Sequence, residues 1–299
     1  MTSGGDIGAG QGIVVDDVTA RRTEKVMQLN DGNELPSVGL GTYPLKDEAA
    51  VQAVAAAIDL GYRHVDTAVN YRNEEAVGRG VAASGTPRDK VQVATKLPGR
   101  DHGYDQTLAS FERSRTALGV DYIDLYLIHW PNPSVGKYVD TWRAMIELRD
   151  RGLVRSIGVS NFTQDFLSRL IDETGVTPAV NQIELHPYFP QQEMRGFHAA
   201  NGIVTEAWSP LGKGSGVRSE PAIVAAATAH GVTPAQVVIR WHVQLGSVPI
   251  PKSGDPTRQK QNLDVFGFVL SAEEMSAITA LGRPDGRLFD GDPNTHEEM

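Results

Sequence analysis

The feature that most constrains this chain is an alternation of short apolar runs with helix-period segments over about 255 residues. That size and rhythm are typical of a barrel of eight parallel strands and eight helices. The clearest apolar run lies within residues 121–131, DYIDLYLIHWP. A short apolar run that ends at a proline is typical of a strand buried on both faces. Its last polar residues, His129 and Trp130, would lie at the carboxyl end of that strand, where parallel barrels carry their chemistry.

The predicted fold is therefore α/β, a (β/α)8 TIM barrel with an N-terminal β-hairpin and two extra helices. The hairpin is predicted from VMQL and ELPSV, which flank Asp31-Gly32, a pair suited to a tight turn. We expect residues 26–282 to form the barrel, residues 1–25 a flexible tail and residues 283–299 a C-terminal tail or loop. A doubly wound open sheet is the competing architecture. It would carry a glycine fingerprint after its first strand, and VGLGTYPLKD supplies none.

The composition argues against several classes of partner. A net charge of −9 disfavours nucleic acid, whose phosphates would be repelled. The chain has no cysteine and no histidine pair at helical metal-binding spacing, so we expect no metal site. No apolar stretch reaches the roughly 20 residues of a membrane helix, and no signal pattern opens the chain. We therefore expect a monomeric cytoplasmic protein that binds neither membrane nor nucleic acid.

Polar side chains collect at the predicted carboxyl ends of three successive barrel strands. Asp66, Lys96 and His129 each end one of these strands, and Tyr71 follows Asp66 by five residues. Adjacent strands lie about 4.8 Å apart, so the four side chains can converge within roughly 10 Å. Each residue alone is more often structural. Their occurrence together at neighbouring strand ends favours a functional site.

This group has the chemistry of a proton donor. A lysine ammonium about 4 Å from a tyrosine favours the phenolate by about 4 kcal/mol at an effective dielectric constant of 20. Lys96 is therefore predicted to lower the pKa of Tyr71 by up to about 3 units before burial opposes it. Asp66 would keep Lys96 charged. His129 would hydrogen-bond a substrate carbonyl and orient it.

At these residues the chain resembles the aldo-keto reductase family, and the likeness extends from about residue 27 to residue 281. It is greatest to bacterial members that reduce methylglyoxal or diketo-sugar acids. The motifs that carry it are LPSVGLGTY (35–43), GYRHVDTAVNYRNEEAVG (61–78), VATKL (93–97), DLYLIHWP (124–131), IGVSNF (157–162), NQIELHP (181–187), WSPLG (208–212) and IPKS (250–253), with Arg258 and Asn262.

The resemblance implies a carbonyl reductase that uses NADP(H), with Tyr71 as general acid, Asp66 and Lys96 as the residues that tune it, and His129 as the residue that orients the carbonyl. It implies substrate contacts for Tyr43, Trp130 and His129, to which we add Phe289. The positions that match the family's cofactor-binding residues are Gly41, Thr42, Ser160, Asn161, Gln182, Trp208, Ser209, Leu211, Lys252, Ser253, Arg258 and Asn262.

Within that set, the resemblance assigns different parts of the cofactor to different residues. Ser160, Asn161 and Gln182 would bind the nicotinamide carboxamide, and Trp208 would stack on the ring. Ser209 and Leu211 would lie along the pyrophosphate. The adenosine end, with its 2′-phosphate, would contact Lys252, Ser253, Arg258 and Asn262.

The expected reaction is NADPH-dependent reduction of small aldehydes and ketones to alcohols, with dicarbonyls such as methylglyoxal or diketo-sugar acids among the substrates. An alternative is an NADPH-binding redox sensor with little turnover. A barrel hydrolase or isomerase is a third, and it would need activity without any nicotinamide.

Overall fold

The computed structural model describes residues 25–289 and 291–299. The predicted N-terminal tail, residues 1–25, therefore lies outside the described residues except for its last residue. The predicted hairpin is confirmed: strands β1 (Val26–Gln28) and β2 (Glu34–Pro36) are antiparallel. Its turn contains Gly32 at a φ of 88°, which favours glycine.

The hairpin covers the amino-terminal end of the strands. Leu29 and Leu35 are buried in one apolar cluster with residues of the barrel interior. The Asn30 side chain donates to the Pro178 carbonyl at 3.0 Å, and the Asn33 side chain donates to the Arg155 carbonyl at 3.2 Å. These contacts leave the carboxyl ends of the strands open for a site.

Eight parallel strands follow one another around the barrel in chain order, each hydrogen-bonded to the next. They are β3 (Leu40–Gly41), β4 (His64–Asp66), β5 (Gln92–Leu97), β6 (Ile123–Ile128), β7 (Val154–Ser160), β8 (Val180–Glu184), β9 (Val204–Trp208) and β10 (Ser247–Pro249).

Backbone hydrogen bonds join the first barrel strand to the last. The Gly39 amide donates to Pro249 at 3.0 Å, and the Gly41 amide donates to Pro251 at 3.3 Å. A Cβ at Gly41 would lie 2.7 Å from the Ile250 carbonyl oxygen, so this close approach requires glycine. The sheet is thus closed, and the predicted (β/α)8 barrel is confirmed.

Ten α-helices of eight or more residues surround the strands in the described part of the chain, two more than a minimal barrel has. They are α1 (Asp47–Asp59), α2 (Glu74–Ala83), α3 (Tyr104–Leu118), α4 (Tyr138–Asp150), α5 (Gln164–Thr174), α6 (Gln192–Ala200), α7 (Pro221–His230), α8 (Pro234–Gln244), α9 (Pro256–Leu263) and α10 (Ala272–Thr279).

Residue chemistry explains several of these helix ends. The Thr163 hydroxyl accepts from the backbone amide of Phe166 at the start of α5, and Gly175, at a φ of 69°, ends it. No single helix among the described residues is long and apolar enough to cross a membrane. Helices α7 and α8 reach that length and composition only as a pair, and a 95° bend separates them.

In strand β6, residues 125–128 are apolar on both faces of the strand. Leu125 and Leu127 point into the barrel, in the cluster that includes the hairpin leucines. Tyr126 and Ile128 belong to the cluster that contains Trp142 of α4. Side chains alternate between the two faces of a strand, and here both faces are covered. The strand ends at Ile128, so His129 is the first residue beyond it.

Candidate active site

A buried ion pair lies at the base of the site. Asp66 is the last residue of β4, and Lys96 lies near the end of the neighbouring strand β5. The Lys96 Nζ donates to both Asp66 carboxylate oxygens, at 2.6 and 2.7 Å, and to the Thr67 carbonyl at 2.9 Å. Burial opposes the charge on Lys96, but Asp66, Tyr71 and Glu206 together outweigh burial and raise the lysine pKa. The ammonium is therefore held in a fixed position and stays protonated.

Tyr71 lies above this pair, at the end of the short 3₁₀ turn Val69–Tyr71 that follows β4. Its hydroxyl oxygen is 3.4 Å from the Lys96 Nζ. Burial raises the pKa of Tyr71 to about 12, although Lys96 acts in the opposite direction. Lys96 thus lowers the Tyr71 pKa as predicted, but the opposing effect of burial is larger, because the phenolate loses more stabilisation from water than it gains from Lys96. A tyrosine with this pKa stays protonated at neutral pH and can act as a donor.

His129 completes the group that the sequence predicted. Its ring centroid is 5.7 Å from that of Tyr71, in an edge-to-face arrangement. Its backbone carbonyl accepts a hydrogen bond from the Asn161 side chain at 3.1 Å. Strands β4, β5 and β6 thus bring together all four predicted catalytic side chains.

The residues predicted to hold the nicotinamide form a hydrogen-bonded row beside His129. The Asn161 amide donates to the Ser160 hydroxyl at 3.0 Å, and the Trp208 indole donates to the Asn161 oxygen at 2.8 Å. Asn161 has a φ of 62°, in the left-handed region that asparagine tolerates better than most residues. Trp208 is also 5.3 Å from the ring of Phe289.

Gln182 is fixed by two carboxylates. Its amide nitrogen donates to Asp66 at 2.9 Å and to Glu206 at 2.6 Å. Both N–H groups are therefore directed into the barrel, and the carboxamide oxygen is the atom left for a ligand. Glu206 is not among the residues predicted from the sequence, and its other carboxylate oxygen lies 2.6 Å from His64 Nε2. The sequence does contain a sign of this pair, because Glu206 and His64 are ionisable residues in strands that a closed barrel buries.

Most of the predicted site residues line one cavity of about 810 Å³, whereas Lys96, Glu206 and His64 are fully buried and do not belong to its wall. Its lining also includes Lys213, which the sequence did not predict and whose Nζ lies 5.7 Å from the Tyr43 ring centroid and 5.3 Å from that of Phe289. The predicted site residues on the wall are Gly41, Thr42, Tyr43, Asp66, Tyr71, His129, Trp130, Ser160, Asn161, Gln182, Trp208, Ser209, Leu211, Lys252 and Phe289.

The remaining predicted cofactor residues lie beyond that cavity. Ser253, Arg258 and Asn262 are absent from its wall. The last two belong to α9, which Asp255 caps by accepting from the Arg258 backbone amide at 3.0 Å. The Arg258 side chain is 71% exposed and 3.8 Å from Asp255. It is therefore accessible to a ligand that extends from the cavity past Lys252.

The C-terminal residues form a wall of the cavity that the sequence did not predict in detail. His296 and Glu298 line it together with Phe289. The Trp130 ring lies 4.2 Å from that of His296, and a Glu298 carboxylate oxygen lies 2.8 Å from His129 Nδ1. The described residues hold no cluster of three or more histidine, cysteine, aspartate or glutamate side chains with metal-binding geometry.

Comparison with known proteins agrees with this geometry. The chain belongs to the aldo/keto reductase family, whose model matches residues 37–283. It is 60% identical over 273 residues to 2,5-diketo-D-gluconic acid reductase B of Corynebacterium sp., an alignment that covers 91% of this chain and 98% of the relative. It is 55% identical over 267 residues to an aldo-keto reductase of Mycolicibacterium smegmatis, covering 89% and 96%.

Solved structures give the same result. The apo form of Gox0644 superposes with a TM-score of 0.87 at 50% identity, covering 91% of this chain and 98% of that one. A variant of Gox0644 in complex with NADPH has a TM-score of 0.87 at 49% identity, with the same coverage. The chain is therefore an oxidoreductase of this family.

Proposed function

We propose that this enzyme reduces small aldehydes and ketones to alcohols, with NADPH as the hydride donor and Tyr71 as the general acid. The observation that carries the proposal is the position of the Tyr71 hydroxyl, 3.4 Å from the buried Lys96 ammonium and on the wall of the cavity. Tyr71 donates its proton to the carbonyl oxygen as the alcohol forms. Lys96, held by Asp66, stabilises the phenolate that remains, and solvent reprotonates it.

His129 positions the substrate in this scheme. Its Nδ1 lies against Glu298, so Nε2 is the ring nitrogen left for a carbonyl oxygen. A carbonyl held between His129 and Tyr71 would lie in the same cavity as Asn161 and Trp208. Binding in one orientation is itself a large part of the rate enhancement that such sites give.

The residues present fit NADPH, which supplies the hydride when bound. The free carboxamide oxygen of Gln182 suits the amide N–H of a nicotinamide, and the Trp208 indole offers a flat apolar surface for the ring. At the other end, Lys252 and Arg258 provide two cations for a phosphomonoester dianion. One ligand could contact Gln182, Trp208 and Lys252, because all three line the same cavity, and could reach Arg258 by extending past Lys252.

The substrate range is best tested with a carbonyl panel. A relative at 60% identity is named for 2,5-diketo-D-gluconic acid, so we include that acid with methylglyoxal, phenylglyoxal and simple aldehydes. We expect steady-state reduction of several members with NADPH and slower reduction with NADH. Tight NADPH binding without turnover of any member would refute the proposal and favour a redox sensor. The monomeric state and the cytoplasmic location stay predictions from sequence.

The cofactor preference has its own test in Arg258→Ala. If Arg258 binds the 2′-phosphate, the substitution should raise the dissociation constant of NADPH about tenfold or more and change that of NADH little. Lys260→Ala removes the same charge from another exposed position of α9 and serves as the matched control. Equal weakening of both cofactors by Arg258→Ala would contradict the assignment.

A further inference from the structure

The C-terminal segment brings a carboxylate to the residue that is proposed to hold the carbonyl. Glu298 Oε1 lies 2.8 Å from His129 Nδ1, and the Glu298 side chain is only 16% exposed. Glu298 is also part of the cavity wall, on the same surface as Tyr71. Its carboxylate therefore lies within the substrate region.

Several contacts hold the Glu298 backbone in place. The Asn132 side chain donates to the Glu298 carbonyl at 2.6 Å, and the Asn70 side chain donates to the Met299 carbonyl at 3.1 Å. The backbone also passes close to Gly99, where a Cβ would lie 2.0 Å from the Glu298 carbonyl oxygen. These backbone contacts fix the position of the Glu298 carboxylate in the site.

Glu298 is charged at neutral pH. Burial opposes its ionisation, but the contact with His129 and donors from Asn70 and the Gly99 backbone outweigh burial and hold the Glu298 pKa below its usual value. The Nδ1 side of the His129 ring is therefore already occupied by a carboxylate. Lys96, the cation beside the carbonyl, is neutralised by Asp66. Each of these two side chains, His129 and Lys96, therefore already has a carboxylate at the position where a second anion would bind.

We propose that Glu298 selects substrates by the charge next to the reacting carbonyl. The enzyme accepts neutral aldehydes and ketones and rejects 2-oxo acids, whose carboxylate adjoins that carbonyl. The inference rests on the proposed function, because it takes His129 and Tyr71 as the groups that hold the carbonyl. A carboxylate elsewhere in a longer substrate lies further from Glu298 and is tolerated.

The size of the effect follows from Coulomb's law. Two unit charges about 6 Å apart repel with an energy that corresponds to a change of about 10- to 100-fold in binding, for effective dielectric constants between about 40 and 20. The comparison should therefore use substrates that differ only in this charge. Pyruvate and its methyl ester share the reacting ketone and differ in the adjacent carboxylate.

The experiment measures kcat/KM with NADPH for methyl pyruvate and pyruvate in the parent, Glu298→Gln and Glu297→Gln. Glu297 is the matched control, because its carboxylate accepts from the Ser134 amide at 2.8 Å and is not part of the cavity wall. The ratio of ester to acid in each protein, divided by the parent ratio, cancels the different intrinsic reactivity of the two ketones.

We expect Glu298→Gln to lower the ester-to-acid ratio by about tenfold or more, and Glu297→Gln to change it less than about twofold. An unchanged ratio in Glu298→Gln, an equal fall in both variants, or a parent that reduces pyruvate as well as its ester would overturn the inference while leaving the proposed function intact. A parent that reduces neither methyl pyruvate nor any other neutral carbonyl would overturn both.

Discussion

Replacing Lys96 with methionine tests how the site turns a tyrosine into an effective acid. The Lys96 Nζ lies 3.4 Å from the Tyr71 hydroxyl oxygen. At an effective dielectric constant of 20, that distance corresponds to about 5 kcal/mol of phenolate stabilisation, or between about three and four pKa units. If about half of this phenolate stabilisation is present in the transition state, Lys96→Met should lower kcat by about 60-fold.

The assay is the loss of NADPH absorbance at saturating phenylglyoxal, in H₂O and in D₂O. The solvent isotope effect should rise in the variant, because proton transfer becomes more limiting. Lys96→Met leaves Asp66 buried without its partner, which costs about 3–5 kcal/mol of stability. The double variant Asp66→Asn/Lys96→Met removes both charges. Its kcat shows whether the rate loss in Lys96→Met results from the loss of stability caused by an unpaired Asp66. A kcat within about threefold of the parent in both variants would refute the reasoning.

Two further predictions concern other parts of the molecule. Because Asp66 and Glu206 take both N–H groups of Gln182, the parent should bind NADPH more tightly than its 3-acetylpyridine analogue, which lacks the amide N–H, by about 2- to 10-fold. Glu206→Met should shrink that preference, and equal discrimination by both proteins would contradict the orientation of Gln182. Burial lowers the pKa of His198 to about 4, so His198 takes up a proton near pH 6.5 only after unfolding. The free energy of unfolding should therefore fall by about 3 kcal/mol from this residue between about pH 6.5 and 4. His198→Gln should flatten that slope in urea denaturation, and an unchanged slope would refute the assignment.

The barrel could be predicted from sequence because its signals are local. Strand β6 is an apolar run of ordinary strand length, and the helix after β7 begins at a threonine and ends at a glycine. The order of strands then follows from chain order, because successive parallel strands joined by helices lie side by side. That order alone places Asp66, Lys96 and His129 on neighbouring strand ends.

Other features depend on contacts that the sequence does not reveal. The pKa of Tyr71 depends on how much water the folded chain removes from its hydroxyl, and sequence spacing gives no measure of that. Glu298 meets His129 only because the C-terminal segment crosses the open end of the barrel, held by side chains such as Asn132. Glu206 acts through Gln182, a partner on the neighbouring strand.

The central claim, that Tyr71 donates the proton to the carbonyl oxygen, is tested most directly by Tyr71→Phe. This variant keeps the ring and removes only the hydroxyl group. We expect kcat for phenylglyoxal or methylglyoxal with NADPH to fall by about 100-fold or more, with the dissociation constant of NADPH little changed. Reduction by Tyr71→Phe as fast as by the parent would contradict the claim.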